Sequence, residues 1–133
     1  MISRLLSIPF FAALIVVTGC SDDDLLAPVP EACTQAVQLA APVGATPSFT
    51  WTPRCGAWAI IVVPQAPLPT DPASTWGLQA GETLIVPGVQ YGSHPAGTTL
   101  IPPSVVLEAG RSYIVQVYQE GSITPLGTRA WTP

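Results

Sequence analysis

Cys20, Cys33, Cys55 and His94 are the side chains of this sequence best suited to covalent, redox or metal chemistry. A thiolate can take an acyl or prenyl group, close a disulfide or bind a metal. An imidazole can act as a base or ligand, but only beside partners that orient it. His94 stands between Ser93 and Pro95 in the turn-rich stretch VQYGSHPAG, and no partner for it can be identified in the sequence. The acids Asp71, Glu82, Glu108 and Glu120 are dispersed, with no paired-carboxylate pattern, and each suits a loop or a strand end. The chain has no nucleophile elbow, phosphate loop or zinc motif. Catalysis is therefore not expected, and the chemistry that remains is that of the thiols.

Cys20 closes the stretch Val17-Thr18-Gly19-Cys20, after an apolar run from Leu5 to Val17 and a start that carries one charge, Arg4. The run suits a signal-peptide core and is short of the roughly 20 apolar residues that span a bilayer. VTGC resembles the lipobox of bacterial lipoproteins. The resemblance implies that residues 1–19 are a removed leader and that Cys20 is acylated, carrying a diacylglycerol and a further acyl chain. No other cofactor is expected. Two or more chains anchor a protein stably where one does so only marginally. The membrane is then the first partner, and the chain lies outside the cytosol. Ser21, which follows the cysteine, implies sorting to the outer membrane if the cell has two.

Residues 20–32 read as the lipidated cysteine and its tether. Asp22, Asp23 and Asp24 are followed by Pro28 and Pro30, which favour an extended chain. Calcium needs six to eight oxygens on a shaped loop, and adjacent residues of an extended chain point apart, so the aspartates suit a solvated spacer better than an ion site. The formal net charge is −4, there is no lysine, and only Arg54, Arg111 and Arg129 follow the leader. That balance argues against nucleic acid as a partner.

The spacing of the other two cysteines suggests their role. Pro42 to Thr46 is a turn cluster between two alternating runs, QAVQLA and SFTWTP. Folding the chain about Gly44 sets Leu39 against Phe49, Val37 against Trp51 and Cys33 against Cys55, all on one face. Directly opposed strand positions lie about 5 Å apart, within reach of a disulfide. Two structural thiols and a two-cysteine metal site are the competing readings, and the latter lacks further ligands. A Cys33–Cys55 disulfide fits an exported chain.

Beyond Cys55 the pattern stays β. AWAIIVV (Ala57 to Val63) is apolar on both faces, as in a central strand covered on each side or at an interface. STWGLQ, ETLIV, TTLI, Ser104 to Leu107 and Leu126 to Thr132 are further candidate strands. SYIVQVYQ (Ser112 to Gln119) alternates most clearly, with Tyr113, Val115 and Val117 inward and Gln116 and Tyr118 outward. Pro102-Pro103 confines its neighbours to a sheet edge or a change of strand. The expectation is an all-β fold over residues 33–133, an antiparallel β-sandwich of seven or eight strands.

Leu107-Glu108-Ala109-Gly110-Arg111-Ser112-Tyr113 resembles the L-x-x-G-x-x-Y tyrosine corner of fibronectin type III domains. SFTWTP is similar to the second strand of that family, with Trp51 as its core tryptophan, and Trp58 stands where the family usually has a tyrosine. The resemblance implies roles for Leu107, Gly110 and Tyr113 in fixing the corner, with the tyrosine hydroxyl bonded back to the backbone. It also implies a module that binds a protein or plays a structural part.

So small a sandwich is not expected to enclose Trp58, Trp76, Tyr91, Tyr118 and Trp131 as well as Trp51. Trp58, Trp76, Tyr91 and Trp131 are therefore candidate binding aromatics, able to stack on sugar rings or anchor a protein. The alternative is that some of them cap the ends of the sandwich. Two functions follow: a lipid-anchored envelope protein that binds another protein, or a surface module that binds glycans.

Overall fold

The computed structural model describes residues 28–133. Cys20, the expected leader and residues 21–27 of the expected tether lie outside the described residues.

Among the described residues, nine strands form two antiparallel layers. They are β1 (Gln38–Leu39), β2 (Ser48–Phe49), β3 (Trp51–Thr52), β4 (Ala59–Pro64), β5 (Trp76–Ala80), β6 (Val89–Gln90), β7 (Thr98–Ile101), β8 (Tyr113–Tyr118) and β9 (Gly127–Trp131). One layer is a five-stranded sheet in the order β7-β5-β4-β8-β9. In the other, β3 pairs with β1 and β2 pairs with β6. β2 and β3 are two ends of one extended run, because the Thr50 carbonyl between them accepts the Ala40 N–H at 3.0 Å. Counted that way, the sandwich has eight strands.

The alternation in the sequence decides which faces meet. On β4 and β8, Ile60, Val62, Tyr113, Val115 and Val117 are buried against Val37, Leu39, Phe49 and Trp51 of the opposite layer. Burying a large apolar side chain contributes about 1.5–3 kcal/mol. β4 is the middle strand of the five, paired with β5 on one side and with β8 on the other.

Cys33 and Cys55 form a disulfide with Cα atoms 5.0 Å apart, though not by the register expected. Leu39 faces Trp51 and Gln38 faces Thr52, so the pairing is offset by two residues and keeps the same face inward. The turn is wider than expected, because Pro42 and Pro47 supply no N–H to a ladder. A tight turn in which the Cys55 N–H donates to the Pro53 carbonyl at 3.0 Å takes up the offset. Cys55 then meets Cys33 through a parallel bridge between Ala32 and Gly56. The Glu31 carbonyl already accepts the Gly56 N–H at 2.7 Å, so pairing to the domain starts two residues before Cys33.

Two candidate strands are not strands. In ETLIV, Ile85 makes one bridge to Ala57, and the segment otherwise runs as a loop. From Ser104 to Leu107 the backbone is held at Val105 alone, whose N–H donates to the Thr75 carbonyl at 3.0 Å and whose carbonyl accepts the Tyr91 hydroxyl at 2.6 Å. Pro102-Pro103 ends β7, which is an edge strand.

Candidate functional site

Three of the four candidate binding aromatics belong to the core. Trp76 is 0%, Tyr91 7% and Trp131 7% exposed, so none of them is presented to a ligand. The second layer is built from strands of two residues, which supply few side chains, and large rings fill the volume left between the layers. Phe49 lies 6.0 Å from Trp76 and 5.5 Å from Trp131 between ring centroids, and Trp76 lies 5.3 Å from Tyr91. The Tyr91 hydroxyl is anchored as well, at 2.6 Å from the Val105 carbonyl and 3.2 Å from that of Thr75, and burial raises its pKa. Trp58 alone of the four is half-buried.

Trp58 borders the outer face of the five-stranded sheet, most of whose side chains are half-buried or exposed. The register sets Ile101, Gly77, Ile61, Gln116 and Thr128 in one row across it, and Val63, Ile114 and Ala130 in another. A third row runs through Thr99, Gln79, Ala59 and Tyr118. Side chains in one row point to one side. Ile61, Val63, Ile101 and Ile114 are half-buried, and no acid or base stands among these positions.

The face is not flat. A groove of about 330 Å³ has Ala59, Ile61 and Gln79 as its floor, with Ile101 on one wall and Trp58 and Tyr118 among the rest of its lining. Ile101 leans across the strand between, which is possible because residue 77 is glycine. A Cβ there would meet the Ile101 side chain at 3.3 Å and the Ile60 carbonyl at 3.0 Å. Tyr118 is fixed by its hydroxyl, which donates to Gln116 Oε1 at 3.1 Å, and burial raises its pKa. At the rim, in the 119–126 loop, Ile123 is 96% exposed. The arrangement can hold an apolar group, and it presents one beside it.

The tyrosine corner lies at the opposite end of β8. The Tyr113 hydroxyl accepts the Glu108 N–H at 3.0 Å, Leu107 and Tyr113 are buried, and Gly110 holds a φ of +80° in the turn between them. That φ favours glycine. Arg111 lies over the Tyr113 ring with its guanidinium carbon 5.8 Å from the centroid, and it pairs with Asp71 of the proline-rich connection. The hydrogen bond from Arg111 holds the Asp71 carboxyl below its usual range. Stability from this pair is therefore present above the ordinary value of 3.8 and is lost as pH falls through the lowered native value. Both ends of the guanidinium face acids, since Glu108 lies 3.6 Å away, so the cluster pins a loop rather than binding an anion. Tyr113→Phe is expected to cost about 1–2 kcal/mol in chemical denaturation, because it strips the Glu108 N–H of its acceptor.

His94 is exposed, and its Nε2 lies 2.9 Å from the Thr98 carbonyl, a contact within its own turn. A second groove of about 300 Å³ lies nearby under the 83–98 connection, lined by Leu84, Val86, Pro87 and Pro95 among others. Among the described residues no three acids, cysteines or histidines are grouped as metal ligands would be. The outer-sheet surface was not apparent in the sequence as a site, although the two-faced apolar run of β4 was its signal. Comparison with protein-family models, with characterised proteins and with solved structures returns no match.

Proposed function

We propose that this chain is a lipid-anchored, exported cell-envelope protein without catalytic activity. In this reading its sandwich presents the outer face of the five-stranded sheet to a protein partner. The observation that carries it is the uncharged, half-exposed patch of Ile61, Ile101 and Ile114, which lie in two neighbouring rows, with Ile123 standing at its edge. Exposed apolar groups gathered in one patch mark interaction surfaces more often than scattered ones do. The disulfide favours an oxidising compartment. VTGC supplies the anchor, with Cys20 as the acylated residue, the membrane as its partner and the outer membrane as the destination where there are two. The glycan reading is the weaker one, because Trp76, Tyr91 and Trp131 lie inside and only Trp58 and Tyr118 remain beside the groove.

The anchoring half is tested by Cys20→Ala. The unsubstituted chain is expected to incorporate labelled palmitate, to fractionate with membranes and to have lost residues 1–19 by intact mass. The variant is expected to incorporate no label. An unsubstituted chain that retains Met1 and carries no acyl group would overturn the anchor. The binding half is tested by glycan-array screening of the unsubstituted chain beside Trp58→Ala. Specific glycan capture lost in that variant would overturn the protein-binding reading.

A further inference from the structure

The partner of the outer sheet face can be argued further, given the reading of that face as the binding surface. β4 has the sequence of a strand covered on both sides, AIIVV, yet beyond Ala59 its outer side is left half-exposed within one chain: Ile60 and Val62 on the inner side are 0% exposed, while Ile61 and Val63 are half-exposed. Whatever completes the burial must suit a surface with no charge on it. A bilayer surface or a charged protein would ordinarily be met by basic or acidic groups. None of the positions in the three rows is charged, so an identical chain, itself net acidic, could lay its own sheet face against this one without opposing like charges across the rows. The shape is self-complementary too. One chain carries both an apolar groove and, on the groove's rim, an apolar side chain with almost no contacts of its own, Ile123 at 96% exposure. In a two-fold pair any contact between residue i and residue j occurs twice, so one knob beside one hole satisfies both copies.

We propose that this face is covered by a second copy of the chain, related by a two-fold axis, with Ile123 of each copy seated in the groove of the other. The size of the face sets the strength of the pairing. Five strands about 4.8 Å apart and some five residues at about 3.3 Å make a face of roughly 24 by 17 Å, or about 400 Å². Two such faces, with the loops that carry Ile123, bury on the order of 1,000 Å², at the weak end of specific interfaces. The pair is therefore expected to be sparse in dilute solution and well populated where two anchors confine both copies to one membrane.

The test uses the full-length chain in its own membranes, with a photoreactive side chain in place of Ile123. Irradiation is expected to give a product of twice the monomer mass, joined to the second chain near Trp58, Ile61 or Ile101. The same group at Val106, which is 89% exposed at the opposite end of the sandwich, is expected to give none. With the photoreactive group at Gln79 instead, Ile123→Asp should lower the doubled product about tenfold, and Val106→Asp should leave it unchanged. Ile123 has no packing to lose, so a misfolded variant cannot imitate this result. Adducts with other proteins only, or no adduct at position 123, would overturn the pairing. Palmitate label read on the same sample separates the two ideas. A labelled chain without self-product overturns the pairing alone, and an unlabelled chain that still cross-links to itself supports the pairing and removes the anchor.

Discussion

Trp76→Ala is expected to lower the free energy of unfolding by about 3–5 kcal/mol, the largest effect of any single substitution considered. Trp76 is fully buried on β5, stacked near Phe49 and against Tyr91, and its removal leaves a cavity in contact with both layers. The short strands of the second layer cannot move in to fill it without breaking their few ladder bonds. For a domain of about 100 residues, each kcal/mol shifts Tm by about 4–8 °C, so the variant should melt far below the unsubstituted protein or fail to accumulate. Trp76→Phe supplies the control. The indole N–H of Trp76 has no hydrogen-bond acceptor among the described residues, so phenylalanine keeps most of the ring and gives up no polar contact. Its cost should be well under half that of alanine. Equal losses for Phe and Ala would mean that the indole makes a polar contact in solution.

Removing both cysteines, as Cys33→Ala with Cys55→Ala, should cost about 3 kcal/mol, the chain entropy that a disulfide closing a loop of this length removes from the unfolded state. The bridge joins residues 22 apart, and the cysteines are 2% and 9% exposed. It ties the N-terminal segment 31–33 to the turn at Pro53–Cys55, where backbone bonds are few. The double variant is the clean comparison, because either single variant leaves a free thiol beside the core. Thermal melts with and without reductant should differ for the unsubstituted protein and coincide for the double variant. A reductant-independent Tm in the unsubstituted protein, with both thiols then open to alkylation, would show that the bond is absent.

The sequence by itself determined the class of fold, the inward faces and the partnership of Cys33 with Cys55. These depend on local matters: a two-residue period, prolines that stop strands, and residues close enough along the chain to be set face to face. The alternation of SYIVQVYQ placed Tyr113, Val115 and Val117 in the core, and the glycine and tyrosine of the corner marked a turn whose hydroxyl bond is now visible. Only the tertiary structure decided the register of the first hairpin, because a shift of two residues leaves every side chain on its original face and periodicity cannot detect it. It also decided the fate of the tryptophans. How many rings a sandwich can enclose depends on how much of the opposing layer is made of short strands, a sum over the whole chain that no stretch of it contains. For the same reason the outer face became visible only in three dimensions. Ile61, Ile101, Ile114 and Ile123 come from four separate segments, and it is the pairing order β7-β5-β4-β8 that brings them to one side.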